Sequence, residues 1–359
     1  MRERPAPARE ALLYETLPDG RVRCNVCRRR CTIPDGSFGV CKMRQAVAGR
    51  IRLYNYPGVG SVNNDPVEKK PLFHFFPGSA CLSLGSWGCN FHCKHCQNWQ
   101  ISFATPEEAL SQSHDLMPDD AVALAKRLGS EGMAFTYNEP GIWLEYALDC
   151  ARLAKSAGLY TVFVTNGFST IEALDLIGPY LDAYRVDLKG FSDTFYRQLA
   201  KVPRWREVLE SAVYAKRHWD MHVEVVTNVI PTMNDDDEQL TAAARWIRDE
   251  LGPETPWHVT AFQPHHELRH LPPTPVSTLE KAMAIGRNEG LLYVYPGNVF
   301  GHPDENTRCP GCGADVISRA GYRIALRALS SDGRCARCGA DLNIRTASYQ
   351  RRLPVSAGS

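Results

Sequence analysis

No apolar run in this sequence is long enough to span a bilayer. Its first residues, MRERPAPARE, lack the apolar segment of a secretory signal, so a cytoplasmic chain is expected. Excess charge of either sign is also missing: 41 Lys and Arg against 40 Asp and Glu leave a formal net charge of +1. Bulk electrostatics therefore favour neither nucleic acid nor an anionic membrane as a partner. Internal repeats and low-complexity tracts are absent too. With 44% hydrophobic and 23% charged residues, a chain of 359 can bury one large core and still carry small appendages.

Cysteine, by contrast, is plentiful, and the 13 cysteines are grouped. Four are Cys24, Cys27, Cys31 and Cys41; three are Cys89, Cys93 and Cys96; four are Cys309, Cys312, Cys335 and Cys338. Without a secretory signal, clusters at these spacings signify metal rather than disulfides, and a reducing compartment. Cys81, opening an apolar strand, and Cys150, beside Leu148 and Leu153, read as small buried hydrophobes.

The central group lies in LGSWGCNFHCKHCQNWQIS, Leu84 to Ser102. Three thiolates this close suit three corners of a cubane iron–sulfur cluster. The loop offers no fourth, which would leave one iron with an open position, the mark of a metal site that does chemistry. A zinc knuckle is the plainer alternative for such spacing. Gly85 and Gly88 allow the backbone to bend sharply there.

From Ala80 to about Asn298, apolar strand-like runs alternate with helical patterns. Strands are expected at 81–86, 133–137, 161–166, 183–188, 222–230 and 257–262, with a further short run at 291–296. Helices are expected at Pro118–Leu128, Ile142–Ala157, Ile171–Ile177, Arg204–His218, Glu238–Leu251 and Thr278–Asn288. The alternation predicts parallel strands with crossover helices, an α/β fold in which six units form a partial (β/α)6 TIM-like barrel. Functional groups in such folds sit at the C-terminal ends of the strands, and the cysteine loop follows the first one.

Two cysteine-rich modules flank this barrel, giving expected boundaries of 1–56, 57–303 and 304–359. In CNVCRRRCTIPDGSFGVC, four thiolates suit either structural zinc or a cuboidal cluster. Arg28, Arg29 and Arg30 beside them either offset the thiolate charge or form a solvated basic face. The tail has two C-x-x-C-G knuckles, Cys309–Cys312 and Cys335–Cys338, which read as a zinc ribbon; a rubredoxin-like iron site uses the same ligands. Residues 63–79 read as an extended connection, in which Lys69, Lys70 and His74 are expected to be structural.

Each barrel strand ends in polar residues: FTYNEP (135–140), VTNG (164–167), RVDLKG (185–190), then Thr227, Asn228 and Asn234. His265, His266 and His270 follow the sixth strand, and Asn298 the last. Histidines on such a rim are expected near cofactor or substrate rather than on a metal.

Cys89, Cys93 and Cys96 reproduce the signature of the radical S-adenosylmethionine (SAM) superfamily, which the chain resembles. The resemblance implies a [4Fe–4S] cluster on these cysteines and SAM bound to its open iron. Reductive cleavage of SAM to a 5′-deoxyadenosyl radical then follows. His95 takes the place of an aromatic residue beside the adenine. FTYNEP resembles the Gly-Gly-Glu segment that binds the SAM amino group, with Tyr137 and Asn138 in place of the glycines and Glu139 retained; a helix N-cap is the alternative use of Glu139. The Asp-Leu-Lys segment resembles that of pyruvate formate-lyase-type activating enzymes, which puts Lys189 on the methionyl carboxylate and Asp187 near the ribose or a cation. Thr165, Asn166, Asn228 and His265 complete the expected set.

Over DPVEKKPLFHFFPGS, GCNFHCKHCQNWQIS, FTYNEP, VTNG and YPGNV the chain is most similar to the radical SAM proteins of the AmmeMemoRadiSam system. That implies a one-electron donor such as flavodoxin or ferredoxin, and Memo-like protein partners. A glycyl-radical activating enzyme and a non-enzymatic metal scaffold or electron carrier are the competing readings.

Overall fold

The computed structural model describes residues 9–347, 351 and 353. Its centre is a sheet of eight strands: β1 (Ser61–Pro66), β2 (Ala80–Gly85), β3 (Gly132–Phe135), β4 (Tyr160–Thr165), β5 (Ala183–Asp187), β6 (His222–Val229), β7 (Trp257–Ala261) and β8 (Val294–Gly297). They lie side by side in chain order, so neighbours in sequence are neighbours in space. β2 to β8 run parallel and β1 is antiparallel to β2. β1 and β8 are the two ends of the sheet, which makes the barrel open on one side. The expected partial barrel is present, extended by two strands. The short run near 291 pairs in parallel as β8, and the first part of the presumed connection, 61–66, pairs as β1.

The reason for this architecture is burial on both faces. Every residue of β4, YTVFVT, is buried, as is every residue of β3 and β7, which suits near-continuous apolar runs rather than alternating ones. Helices α1 (Pro118–Arg127), α2 (Leu144–Ser156), α3 (Ile171–Ile177), α4 (Glu207–Arg217), α5 (Asp237–Trp246) and α6 (Val276–Asn288) are the crossovers. In α2 the buried Leu144, Ala147, Leu148, Ala151 and Ala154 recur at helical spacing and form one apolar stripe. Among the described residues no helix is long and apolar enough to cross a membrane.

The N-terminal residues share the barrel's core: Val22, Val26, Ile33, Ile51 and Leu53 belong to the same buried cluster as Leu82, Phe135 and Phe163. The three arginines dock this module on the barrel through backbone carbonyls and two ion pairs, one of them Arg28 with Glu210 (3.1 Å). Arg28 donates to Ser169 O (3.0 Å), Arg29 to Asn90 O (2.9 Å) and Lys201 O (2.7 Å), and Arg30 pairs with Glu172 (2.7 Å). These partners leave no free basic face, and Arg29 lines the same small cavity as the four cysteines. The tail has its own small core of Val316, Ile317, Leu342 and Ile344.

Barrel and tail meet at the N-terminal ends of the strands. Glu224 of β6 is fully buried and accepts from the backbone N–H groups of Phe73 (3.0 Å) and His74 (2.8 Å) and pairs with His222 (3.0 Å) and His258 (2.6 Å). His74 in turn bonds Leu342 O of the tail (2.9 Å) and the Tyr295 hydroxyl (2.6 Å). Arg319 of the tail donates to Phe73 O (2.9 Å). Lys69 and Lys70 pair with Asp65 of β1 at 2.8 and 2.6 Å. All three side chains read as structural from the sequence are thus bound within the protein.

Burial holds the His74 imidazole neutral and pushes its pKa down to about 3. In an unfolded chain a histidine titrates near about 6.5. Between those values the unfolded chain binds more protons, so this contribution to stability is present above about pH 6.5 and is lost as the pH falls. Conformational stability should therefore decline below about pH 6.5, by up to about 1.4 kcal/mol per pH unit for this group. His74→Gln should flatten that decline; denaturant titrations across the range, with equal slopes for both proteins, would contradict the assignment.

Candidate metal centre

The cysteine loop begins where β2 ends, and its path is set by close backbone approach. A Cβ on Gly88 would lie 2.3 Å from Cys41 O, and the residue has φ +76°, so only glycine fits. Asn138, just after β3, straps the loop down: its amide donates to Gly88 O (2.7 Å) and accepts from Ser86 N (2.9 Å). Asn98, beyond the last cysteine, donates to Tyr137 O (2.7 Å). Lys94 N donates to Leu199 O (2.9 Å), which fixes the middle of the loop to the segment after β5.

Cys93 is buried, and Cys89 and Cys96 are half-buried. Burial pushes the Cys93 thiol up to about 11, opposed by the charge of Lys189, and pushes Cys89 well above the ordinary thiol range. Thiols in such a place lose their protons when a cation takes the charge, which is the condition for metal ligation. The donor set fits a three-cysteine cluster, and four buried polar atoms of the same loop, Ser86 Oγ, Trp87 Nε1, Asn90 Nδ2 and His95 Nδ1, have no partner within the protein. His95 is kept neutral by burial, its pKa pushed down to about 3, and its ring lies 6.0 Å from that of Phe195.

Glu139 is buried and spends its carboxylate on the protein. It accepts from Gly141 N (2.7 Å), Thr165 Oγ1 (2.8 and 2.9 Å) and Asn166 N (2.8 Å). It caps the short helical turn Pro140–Trp143, as the N-cap alternative anticipates, and also joins the ends of β3 and β4. Asn166 stands against the cluster cysteines, with its amide 3.9 Å from Cys89 Sγ and 2.8 Å from Asn90 Oδ1. Tyr137, at φ 73°, turns its ring away to Asp65 (2.7 Å), leaving its carbonyl at the loop.

At the end of β5, Asp187 is flanked by Arg185 and by the Lys189 ammonium (3.0 Å). The charge of Lys189 bears on Cys93 and His95 and, more weakly, on Glu139. Asn228 bonds Thr260 of the next strand (3.1 Å), and Asn298 bonds Ala261 O (2.9 Å), so both tie strand ends together. Asn234 does the same for Lys189 O (2.7 Å).

His265 is half-buried at the start of a turn, and His270 is exposed. The histidine that reaches the loop is His266, stacked on Trp99 (ring centroids 5.5 Å) and Phe103 (4.9 Å). Its φ of 50° is one that histidine tolerates better than most residues. The two aromatic residues just past Cys96 were the available signal for this stack.

The tail cysteines converge. Cys309 and Cys338 sulfurs are 3.6 Å apart, Cys312 and Cys335 3.7 Å, and all four lie within 4.8 Å of one another.

Replacing Glu139 with Ala would leave Gly141 N, Thr165 Oγ1 and Asn166 N without their acceptor in a dry site. At about 1–3 kcal/mol for each unsatisfied group, a loss of about 3 kcal/mol or more is expected in a urea titration of the metal-free chain. A loss below about 1 kcal/mol would mean that the carboxylate is not spent on these bonds.

The Radical SAM superfamily model matches residues 86–244. The chain is 40% identical over 337 residues to an uncharacterized protein of Methanocaldococcus jannaschii, an alignment covering 94% of this chain and 99% of that one. It is 26% identical over 164 residues to the isethionate sulfite-lyase activating enzyme of Nitratidesulfovibrio vulgaris, covering 45% and 53% of the two chains. It is 24% identical over 194 residues to the pyruvate formate-lyase-activating enzyme of Clostridium pasteurianum, covering 50% and 76%.

Proposed function

The chain belongs to the radical SAM superfamily, in one family with the archaeal protein that matches it almost end to end, and from that premise we propose that it cleaves SAM reductively and acts on its substrate by hydrogen abstraction. When bound at Cys89, Cys93 and Cys96, a [4Fe–4S] cluster and SAM supply the electron transfer and the 5′-deoxyadenosyl radical. The observation that most supports the reading is a loop with three cysteines and no fourth, with the Asn166 amide 3.9 Å from Cys89 Sγ and a buried, unpartnered His95 Nδ1 in the same loop.

The protein's own part is to hold and orient. Lys189 carries the positive charge that a methionyl carboxylate needs, and Asp187 keeps its ammonium from swinging away. His95 Nδ1 is free to bond the adenine side of the ligand. Glu139 acts through Thr165 and Asn166, setting the Asn166 amide against Cys89, so it is a positioning residue. Tyr137 and Asn138 hold the loop itself. Asn228 and His265 stand further out on the rim. A one-electron carrier of the flavodoxin or ferredoxin class would supply the electron. The similarity to two activating enzymes favours a second reading, in which the substrate is a glycine of a partner protein. An EPR doublet raised on such a partner would select it.

The tail is read as a structural zinc ribbon. A tetrahedral site with metal–sulfur bonds of about 2.3 Å has sulfur–sulfur edges of about 3.8 Å, and the 3.6 and 3.7 Å separations suit it. Four thiolates close the shell, so nothing reacts there.

Two measurements test these readings. Cys93→Ala should lose the loop's iron and make no 5′-deoxyadenosine from SAM and dithionite under anaerobic conditions; undiminished cleavage would sink the assignment. The purified chain should hold one zinc that disappears in a Cys335→Ser, Cys338→Ser double variant, and iron with a rubredoxin-like spectrum at that site would overturn the ribbon reading.

A further inference from the structure

Cys24, Cys27, Cys31 and Cys41 line one small cavity together with Arg44 and Asn90. We propose that this cavity is the site of a second cuboidal iron–sulfur cluster, not of zinc. The first observation is the spacing of the sulfurs. Among the described residues, no three of these four lie mutually within 4.8 Å, whereas all four tail sulfurs do. A single tetrahedral ion draws its ligand sulfurs to edges of about 3.8 Å. In a cuboidal cluster each thiolate binds a different iron, so the sulfurs stand further apart. Cys89, Cys93 and Cys96 show the same wider spacing, a comparison that rests on the reading given above for that loop.

The second observation is independent of the cysteines. Two buried donors on the cavity wall, Arg44 Nη1 and Asn90 Nδ2, have no partner within the protein. The rest of each side chain is occupied. Arg44 gives Nη2 to Glu145 (2.5 Å) and Nε to Ile142 O (3.2 Å), and Asn90 Oδ1 accepts from Asn166 (2.8 Å). Unpartnered donors in a dry place cost stability unless an acceptor arrives. Both centres would be negatively charged, but a cluster brings bridging sulfides as well as thiolates, acceptors that a zinc tetrathiolate lacks. Asn90 directly follows Cys89 in the chain and is held by Asn166, so it belongs to the walls of both cysteine sites.

The test removes the first site and leaves the second. A Cys89→Ala, Cys93→Ala, Cys96→Ala variant is purified anaerobically and reconstituted with ferrous iron and sulfide in the presence of equimolar zinc. About four iron and four sulfide per chain are expected to remain, beside one zinc, with an EPR signal on reduction. The natural chain should hold about twice that iron. In the natural chain, reduction of both clusters should broaden the signals, because they flank one residue. Two zinc ions and no iron in the variant would overturn the proposal. Should the triple variant fail to fold by circular dichroism, Cys24→Ser, Cys27→Ser in the otherwise natural chain decides: half the iron lost supports the second cluster, all of it retained refutes it. If the natural chain does not cleave SAM while the triple variant keeps its iron, the proposed function falls and the second cluster stands.

Discussion

Glu224 has no contact with water, so its charge is sustained only by donors that surround it. Those donors come from the segment before β2 and from two strands of the barrel, and one of them, His74, passes the connection on to the tail. Removing one partner of a buried charged group typically costs about 3–5 kcal/mol, because the other is left uncompensated. The carboxylate is thus a condition for the segment before β2, the N-terminal ends of the strands and the tail to be in register at once.

The same device recurs at the other seams. Glu145 of α2 is fully buried and accepts from Arg44 and from Leu12 N, both in the N-terminal module. Glu139 joins β3 to β4 beside the cluster cysteines. Burial works against the charge of Glu139 and raises its pKa, while its donors pull the other way. Three acids that look interchangeable in the sequence therefore hold three different pieces of the molecule. The arginine run follows a similar rule, divided between carbonyls and acids of the barrel.

These partnerships explain what could and could not be read in advance. Parallel strands were legible because fully buried runs such as YTVFVT have no polar face to hide. The cysteine loop was legible because its spacing is local. β1 was not, since SVNNDP is polar and half-exposed, and only its pairing with β2 makes it a strand. The choice between His265 and His266 was hidden because it depends on a left-handed backbone and on two rings more than 160 residues earlier. For Glu139 the chain offered two uses, and its bonds to Thr165 and Asn166 depend on how neighbouring strand ends align, which spacing does not reveal. The tail was visible as a four-cysteine group, but its attachment through His74 and Arg319 spans more than 240 residues.

The stack of His266 on Trp99 and Phe103 has a mechanical meaning. The sheet is a split ring, with β1 at one end and β8 at the other. The loop after β7 crosses that split to lie on the loop after β2, and Glu267 N adds a bond to Lys94 O (3.0 Å). It serves as the clasp of the ring. It is made of flat rings, one amide bond and the Lys94–Glu267 ion pair (3.7 Å), none of which is a bond between strands of the sheet. The two ends of the barrel are therefore closed by different chemistry: ring contacts and a surface ion pair at the cysteine end, a buried carboxylate and its donors at the other.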